Sequence, residues 1–416
     1  MDRVEITTMT YGPYGLARLD GKTVMVANAA PGDVVDVEPV SQRRDYMIAR
    51  IDRVIRPGAD RREPPCPFLP RCGGCDWQQI AYGAQVRLKA ELLAAEFRRA
   101  LGFELNPDRL VEPAPAEFGY RSRIRLKTGP GGRVGFHELG TNSIVAIDRC
   151  MVAAPELWMP VELALGLGRR CSEIEVVAGD GREVLVAHLG QSPRPADVAC
   201  ARRIVDSDSR VAGIVLRSGA ARQVVGDATT TLEVEPGCVI EAEADLFSQV
   251  NRPQNMKLVA AVQEMAALGA GTRVLDLFCG AGNLSLPAAR RGAEVMGVDT
   301  DALAVAAARR NAVRMGFPGA QFIAMRAAQT ASFLARARYR AGVVIMDPPR
   351  TGAPDLMEPV ARLKPHSVIY VSCDPSTLVR DLRTLIAGGY QIECVRAFDF
   401  FPNTHHLEVV VHALLT

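Results

Sequence analysis

The sequence predicts an α/β protein: a doubly wound, mostly parallel sheet over residues 241–416, preceded by two β-rich units. Three observations carry that prediction. From about residue 241 helical and strand periods alternate, as they do where helices cross over a parallel sheet. Residues 1–56 instead hold short strands broken by turns, and residues 63–77 hold a knot of Pro and Cys. A chain of 416 residues with 48% apolar and 23% charged residues has material for two or three packed cores.

The first unit has expected strands at 4–8, 15–19, 23–26, 33–40 and 46–54, separated by turns such as Asp20-Gly21 and Pro31-Gly32. This is the pattern of a small OB-like β-barrel of the kind that binds oligonucleotides, ending at residue 56. Residues 78–101 read as an amphipathic helix with Val86, Leu88, Leu92, Leu93 and Phe97 on its apolar face, and 78–110 is expected to pack with the C-terminal domain. Residues 57–77 and 111–240 form a central β-rich unit. Its first strand puts Arg121, Arg123, Arg125 and Lys127 on one face, so either a polyanion or a set of carboxylates must lie opposite; RNA is the expected partner. Beyond 241, helices are expected at 255–268, 283–291 and 301–315. Strands are expected at 273–278, 294–298, 321–325, 343–346, 367–371, 392–398 and 406–413.

The net charge of +2 conceals local patches: residues 42–63 carry seven arginines against four acids. No charged start leads into an apolar stretch, and no run reaches about 18 apolar residues, so a cytoplasmic protein without a membrane span is expected. Ten cysteines in such a compartment point to metal or catalysis before disulfides.

The chemistry concentrates at strand ends. Gly280 and Gly282, in Leu275-Asp276-Leu277-Phe278-Cys279-Gly280-Ala281-Gly282, form a tight turn that admits a ligand to a helix start. The third glycine of a dinucleotide fingerprint is absent, Ser285 standing there, and Asp299 ends the next strand where an acid binds ribose hydroxyls. That set favours S-adenosylmethionine over NAD. Asp347-Pro348-Pro349 ends a further strand; amino-group methyltransferases usually follow such prolines with an aromatic residue, whereas Arg350 follows here. Cys373 follows the next strand, flanked by Ser372 and Asp374 and pinned by Pro375. Most methyltransferases have no use for a thiol there, because their substrate atom is already nucleophilic. Carbon 5 of a pyrimidine is not, until a thiolate adds to carbon 6. Cys279 is the competing thiol, with a packing role expected from its apolar neighbours. Thr404, His406 and Glu408 are placed on one face of a strand, Glu408 being the carboxylate that would take the proton carbon 5 loses. Cys66, Cys72 and Cys75 lie within ten residues beside Gly73 and Gly74, a metal-type spacing that leaves zinc and iron–sulfur both open; Cys150 is the best fourth ligand, since Cys171, Cys200 and Cys238 stand alone.

With these motifs in hand the chain resembles the RNA uracil-5-methyltransferase family, in its iron–sulfur, TRAM-containing branch. The resemblance spans nearly the whole chain and rests on Leu246-Phe-Ser-Gln249-Val-Asn251, Asp276-Leu-Phe-Cys-Gly-Ala-Gly-Asn283, Asp347-Pro-Pro-Arg350, Ser372-Cys-Asp-Pro375 and Thr404-x-His-x-Glu408. It implies a Rossmann-like S-adenosylmethionine methyltransferase domain at 241–416, behind a TRAM-like barrel at 1–56. It also implies Cys373 as nucleophile and Glu408 as base, with Gln249, Phe278, Asn283, Asp299 and Asp347 around S-adenosylmethionine. Cys66, Cys72, Cys75 and Cys150 would hold a [4Fe-4S] cluster. Met325-Arg326 departs from the family, which usually has Asn or Asp there. The implied substrate is a uridine of 23S rRNA, bound by a monomer. The rival readings are the same chemistry on a tRNA uridine, a non-catalytic RNA-binding homologue, and a flavin or radical enzyme using the cluster for redox chemistry.

Overall fold

The computed structural model describes residues 2–179 and 181–416. Met1, within the predicted barrel, and Asp180, within the predicted central unit, lie outside the described residues.

The N-terminal strands are β1 (Asp2–Glu5), β2 (Thr8–Met9), β3 (Tyr14–Leu19), β4 (Lys22–Ala27), β5 (Val34–Gln42) and β6 (Tyr46–Arg56). They make one six-stranded sheet in the order β1-β5-β6-β4-β3-β2. β1 and β2 are the two edges of this sheet, yet only Ile6 and Thr7 separate them, so the sheet has to curl until its edges approach. Thr7 N donates to Leu16 O at 2.8 Å, extending the β2–β3 ladder into that linker. Val24, Val26, Val35 and Val37, at period two, are inaccessible and fill the interior.

Helix α1 (Tyr82–Leu101) follows, closed by Gly102 in the left-handed region at φ 64°. It starts four residues later than its apolar pattern predicts. Gln79 donates to Ala29 O and the Ile80 backbone bridges to Arg61, so this stretch is committed to the barrel before the helix can begin. Strand β7 (Val111–Glu112) comes next.

The central sheet is built from β8 (Arg123–Thr128), β9 (Val134–His137), β10 (Ile144–Ala146), β11 (Cys171–Ala178), β12 (Glu183–Leu189), β13 (Val211–Ser218) and β14 (Ala221–Gly226), with α2 (Val161–Leu167) and α3 (Pro195–Ser207) between them. The basic strand meets carboxylates. β8 pairs with β11 so that Glu175 lies opposite Arg125 and Glu173 opposite Lys127. Arg125 reaches Glu175 at 2.6 Å, Lys127 bonds Glu173, and Arg123 donates to the carbonyls of Ala244 and Leu246. Opposite charges on facing strands satisfy each other, so this face is no open polyanion platform. Carboxylates, the second option, occupy it.

A hairpin of β15 (Thr229–Glu235) and β16 (Cys238–Glu243) leads to α4 (Arg252–Ala266), capped by the Asn251 side chain. The C-terminal elements are then β17 (Arg273–Leu277), α5 (Ser285–Arg290), β18 (Glu294–Asp299), α6 (Ala302–Arg314), β19 (Gln321–Ala324), α7 (Ala327–Arg336) and β20 (Val343–Met346). They end with α8 (Pro354–Leu363), β21 (Ser367–Ser372), α9 (Pro375–Ala387), β22 (Tyr390–Phe398) and β23 (Glu408–Leu415). The eight-stranded sheet runs β19-β18-β17-β20-β21-β23-β22-β7, parallel from β19 to β21, with β23 antiparallel to both neighbours. Helices α7, α8 and α9 go beyond the predicted elements; Pro354 and Pro359 in α8 broke the pattern there.

Both faces of this sheet are covered, as the near-continuous apolar strands require. Leu275, Leu277, Val344, Met346, Val368 and Tyr370 face one layer, with α1, α8 and α9 over them. Val274, Val343, Ile345, Ile369 and Val371 face the other, under α4, α5 and α6. Phe97 of α1 is inaccessible in the first layer, so truncating it to Ala costs about 3–5 kcal/mol. The strand order reverses between β17 and β20, and the crevice beyond their C-terminal ends is where open α/β sheets take ligands.

Candidate active site and cysteine cluster

The turn after β17 opens that crevice. Gly280 (φ 53°) and Gly282 (φ 105°) hold backbone that L side chains rarely adopt, and a Cβ on Gly282 would come within 2.7 Å of Leu286. Phe278 is left-handed at φ 70°, unusual for a bulky residue and of the kind that marks a ligand-facing turn. Gln249, Phe278, Asn283 and Asp347 line one cleft there, roofed by Thr230 and Leu232 of β15 and by Ile240 of β16. Asn283 exchanges two amide hydrogen bonds with Asn255, at 2.8 and 3.0 Å, which fastens α4 to the turn. Asp299 stands beside the cleft rather than in its wall: one carboxylate oxygen accepts Gly280 N and the other Asp301 N, both at 2.9 Å. The departing pair also touches this acid, since Met325 N donates to Asp299 O. Asp276 is buried under the turn, takes the Ser285 hydroxyl, and is pushed up to about 7 by desolvation.

Strand register brings the reactive pair together. β21 and β23 are antiparallel with Ser372 opposite Val409, so one step further along sets Cys373 level with Glu408. Asp347 follows β20, the other neighbour of β21. The loops are stitched to one another. Asp374 caps α9 by accepting Ser376 N and Thr377 N, Thr377 Oγ1 donates to Arg350 O, and Arg380 donates to Thr351 O. From the N-terminal barrel, the Tyr11 hydroxyl donates to Cys373 O at 3.3 Å.

The electrostatics are set by burial of the ionisable side chains and by their charges on one another. Burial pushes the Cys373 thiol up to about 12, helped by the charges of Glu408 and Asp347; Arg350 opposes them through its charge and a hydrogen bond to the sulfur. Burial, with the Asp347 charge, raises Glu408 well above the usual carboxyl range, and its Oε2 is buried without a hydrogen-bond partner among the described residues. Burial also takes Asp347 up to about 7, with the Asp276 charge adding to it. Arg350 is the cation of this cluster, and its guanidinium lies 3.1 Å from His406 Nε2. The sequence placed Thr404, His406 and Glu408 on one strand. Only Glu408 is in β23; Thr404 and His406 belong to the turn before it, where Thr404 Oγ1 bonds Phe401 O. The competing thiol, Cys279, is buried in the core layer beneath α6.

All ten cysteines are free thiols. Cys66, Cys72, Cys75 and Cys150 surround one cavity of about 200 Å³, walled by Phe68, Leu69, Ile124, Phe136 and Ile147 with Arg121 at its edge. Burial raises Cys72, Cys75 and Cys150, Cys75 to about 12, and each feels the charge of others in the set. No three ligating side chains among the described residues converge closely enough for a single metal ion. Four thiols around one apolar-walled cavity are a donor set of the kind soft metals take. Among the described residues no helix is long and apolar enough to cross a membrane.

Residues 229–415 match the family model described as tRNA (Uracil-5-)-methyltransferase. The chain is 34% identical to a 23S rRNA (uracil(1939)-C(5))-methyltransferase of Alkalilimnicola ehrlichii, covering 97% of this chain and 94% of that one. An enzyme of the same name from Pseudomonas putida is 31% identical over 98% and 92%, and an uncharacterized RNA methyltransferase of Thermotoga maritima is 31% identical over 99% and 98%. Among solved structures, the Pyrococcus abyssi tRNA (uracil-54, C5)-methyltransferase in complex with S-adenosyl-L-homocysteine matches with a TM-score of 0.77 at 25% identity, covering 99% of both chains.

Proposed function

The chain belongs to the RNA (uracil-5-)-methyltransferase family, and on that footing we propose that it methylates carbon 5 of a uridine in 23S rRNA through a covalent adduct at Cys373. The observation that carries this reading is the register that sets Cys373 level with Glu408, on adjacent strands beside Asp347 and Arg350. The sequence used Arg350 only to argue against amino-group chemistry; its position beside the sulfur gives it a direct part.

When bound, S-adenosylmethionine supplies a methyl group on a positively charged sulfur, which departs as the neutral thioether. Gln249, Phe278, Asn283 and Asp347 would line its pocket, while Asp299 holds the glycine turn and would serve the ribose hydroxyls. Cys373 gives up its proton to solvent, with Arg350 favouring the thiolate, and adds to carbon 6. The displaced π pair makes an enolate whose carbon 5 takes the methyl group. Glu408 then accepts the carbon 5 proton; the C5–H pair restores the C5–C6 double bond and the C6–Sγ bond breaks, returning the thiolate. Arg350 and Asp347 flank the sulfur, so their charges bear directly on the thiolate and on the charge that develops in the ring.

The N-terminal sheet is read as the TRAM-like, OB-like barrel, residues 1–56, that contacts RNA. Residues 57–77 and 111–240 are read as the iron–sulfur unit, with 78–110 packed on the catalytic domain at 241–416. Cys66, Cys72, Cys75 and Cys150 would hold a [4Fe-4S] cluster, which supplies no electrons to methyl transfer. A cytoplasmic location fits an rRNA substrate. The full-length relatives named for 23S rRNA favour that target, and the tRNA enzyme among the structural matches keeps a tRNA uridine as the second reading.

The test is to incubate the protein with S-adenosylmethionine and 5-fluorouridine-containing 23S rRNA fragments, digest, and map the crosslink by mass spectrometry. A methylated pyrimidine on Cys373 is expected. A crosslink elsewhere, or none, overturns the mechanism; a crosslink formed only with tRNA moves the target.

A further inference from the structure

The segment 399–407 that delivers Glu408 is neither helix nor strand, yet Asp399, Phe400 and Asn403 within it are inaccessible. Few of its anchors come from the methyltransferase sheet. Asn403, left-handed at φ 67°, has every polar atom engaged. Its N donates to Gln85 Oε1 at 2.8 Å, and its O accepts Asp76 N at 3.2 Å and Trp77 N at 3.0 Å. Its side-chain oxygen accepts from Arg62 and Gln85, and its side-chain nitrogen donates to Glu117 O. Two residues on, His405 N donates to Asp76 Oδ1 at 3.0 Å, and its ring nitrogen bonds Asp76 Oδ2. Asp76 and Trp77 directly follow Cys75, one of the four thiols around the cysteine cavity.

We propose that Asp76 and Asn403 are positioning residues: they form a latch through which the cysteine-bearing segment sets the place of Glu408, so that proton removal from carbon 5 depends on an ordered cysteine site while thiol addition does not. The proposal rests on the covalent reading above. Cys373 gets its position from β21 and the cap of α9, which Asp76 and Asn403 do not bond; the latch approaches it through the His405 ring, edge-on to the Tyr11 whose hydroxyl bonds Cys373 O, so the two halves of the reaction separate. In the second half, Glu408 takes the carbon 5 proton, the C5–H pair becomes the C5–C6 π bond, and the sulfur leaves with the C6–S pair. A misplaced carboxylate stalls the enzyme after methyl transfer, with RNA still attached.

The experiment compares Asp76→Ala, Asn403→Gly (which keeps the left-handed backbone) and Glu408→Gln. On ordinary uridine RNA with labelled S-adenosylmethionine, all three are expected to accumulate a methylated protein–RNA adduct that survives denaturation, with turnover down at least about tenfold. On 5-fluorouridine RNA, Asp76→Ala and Asn403→Gly should form adduct within about twofold of the natural rate. If addition and release fall together, or neither changes, the latch is refuted. Hydrogen exchange supplies a reading independent of activity: Asp76→Ala and Cys75→Ser should speed exchange across 403–408 and leave 372–377 protected. Unchanged exchange in 403–408 also refutes the latch. If the unaltered protein forms no adduct on either RNA, the covalent reading is what falls, and hydrogen exchange alone decides whether the latch exists.

Discussion

Two loops meet at this site, and they are held in opposite ways. The Cys373 loop is positioned by its own neighbourhood: it leaves β21, Ser372 and Asp374 bond each other across it, and Asp374 caps the helix that starts at once. The Glu408 loop is positioned by residues some three hundred places away in the chain, Arg62, Asp76, Gln85 and Lys89 among them. A nucleophile on a strand–turn–helix corner needs only the sheet beneath it. A base at the point where an irregular loop enters its strand needs that loop braced, here by a second body. The difference predicts that damage outside the methyltransferase domain falls on proton removal before it falls on thiol addition.

The largest expected effect is at the local loop. Cys373→Ala should abolish the adduct and cut methylation by about 10⁴-fold or more, because no other group supplies the addition at carbon 6. Radiolabel transfer to uridine RNA checks it; activity near that of the natural protein would transfer the role away from residue 373. Next is the acid–base behaviour of the same sulfur. With Cys373 raised to about 12 by burial, the thiolate is the minor form at neutral pH. Each unit of alkalinisation therefore multiplies it, and adduct formation on 5-fluorouridine RNA should climb about tenfold per unit between about pH 6.5 and 8.5. A rate flat over that window would mean the thiol is already ionised and Arg350 outweighs burial.

The braced loop offers a change that leaves the nucleophile alone. Lys89 of α1 and Asp399 are both inaccessible, 2.6 Å apart, and Lys89 also donates to Phe401 O. Lys89→Met strands a buried carboxylate and should cost about 3–5 kcal/mol in chemical denaturation, whereas the double change Lys89→Met with Asp399→Leu should recover most of it. At temperatures where the single variant stays folded, product release should slow more than adduct formation. Equal slowing of both steps would erase the contrast between the loops.

The same contrast explains what the sequence made legible. Cys373, Asp347 and the glycine turn stand at strand ends, where local pattern announces both the strand and the residue after it. Glu408 was found too, but on a strand assumed to begin at about residue 406; the turn holding Thr404 and His406 owes its shape to partners that no local window contains. Nothing in the helical pattern marks Lys89 as buried, because its partner Asp399 lies 310 residues on. The basic strand misled for a related reason: its carboxylates lie on β11, some fifty residues later, and a period-two count along β8 cannot see across the ladder. Arg350 sits inside a recognisable motif and Asn403 directly before one, yet what they touch is fixed only by long-range packing.

The smallest expected effect tests whether the Cys373 loop is as self-sufficient as it looks. Asp374 accepts two backbone N–H groups at the start of α9, at 2.9 and 3.0 Å, and no residue from the N-terminal half shares that cap. Asp374→Ala should therefore cost about 1 kcal/mol of stability. Thr377 and Arg380 still tie α9 to the loop after Asp347, so the corner should fray rather than collapse. Adduct formation on 5-fluorouridine RNA should fall by a few-fold, with release from ordinary RNA unchanged, the reverse of the signature expected at Lys89. A long-range contact does reach this loop, the Tyr11 hydroxyl on Cys373 O. If Tyr11→Phe slows addition more than Asp374→Ala does, the nucleophile too depends on a distant brace, and the two loops differ in degree and not in kind.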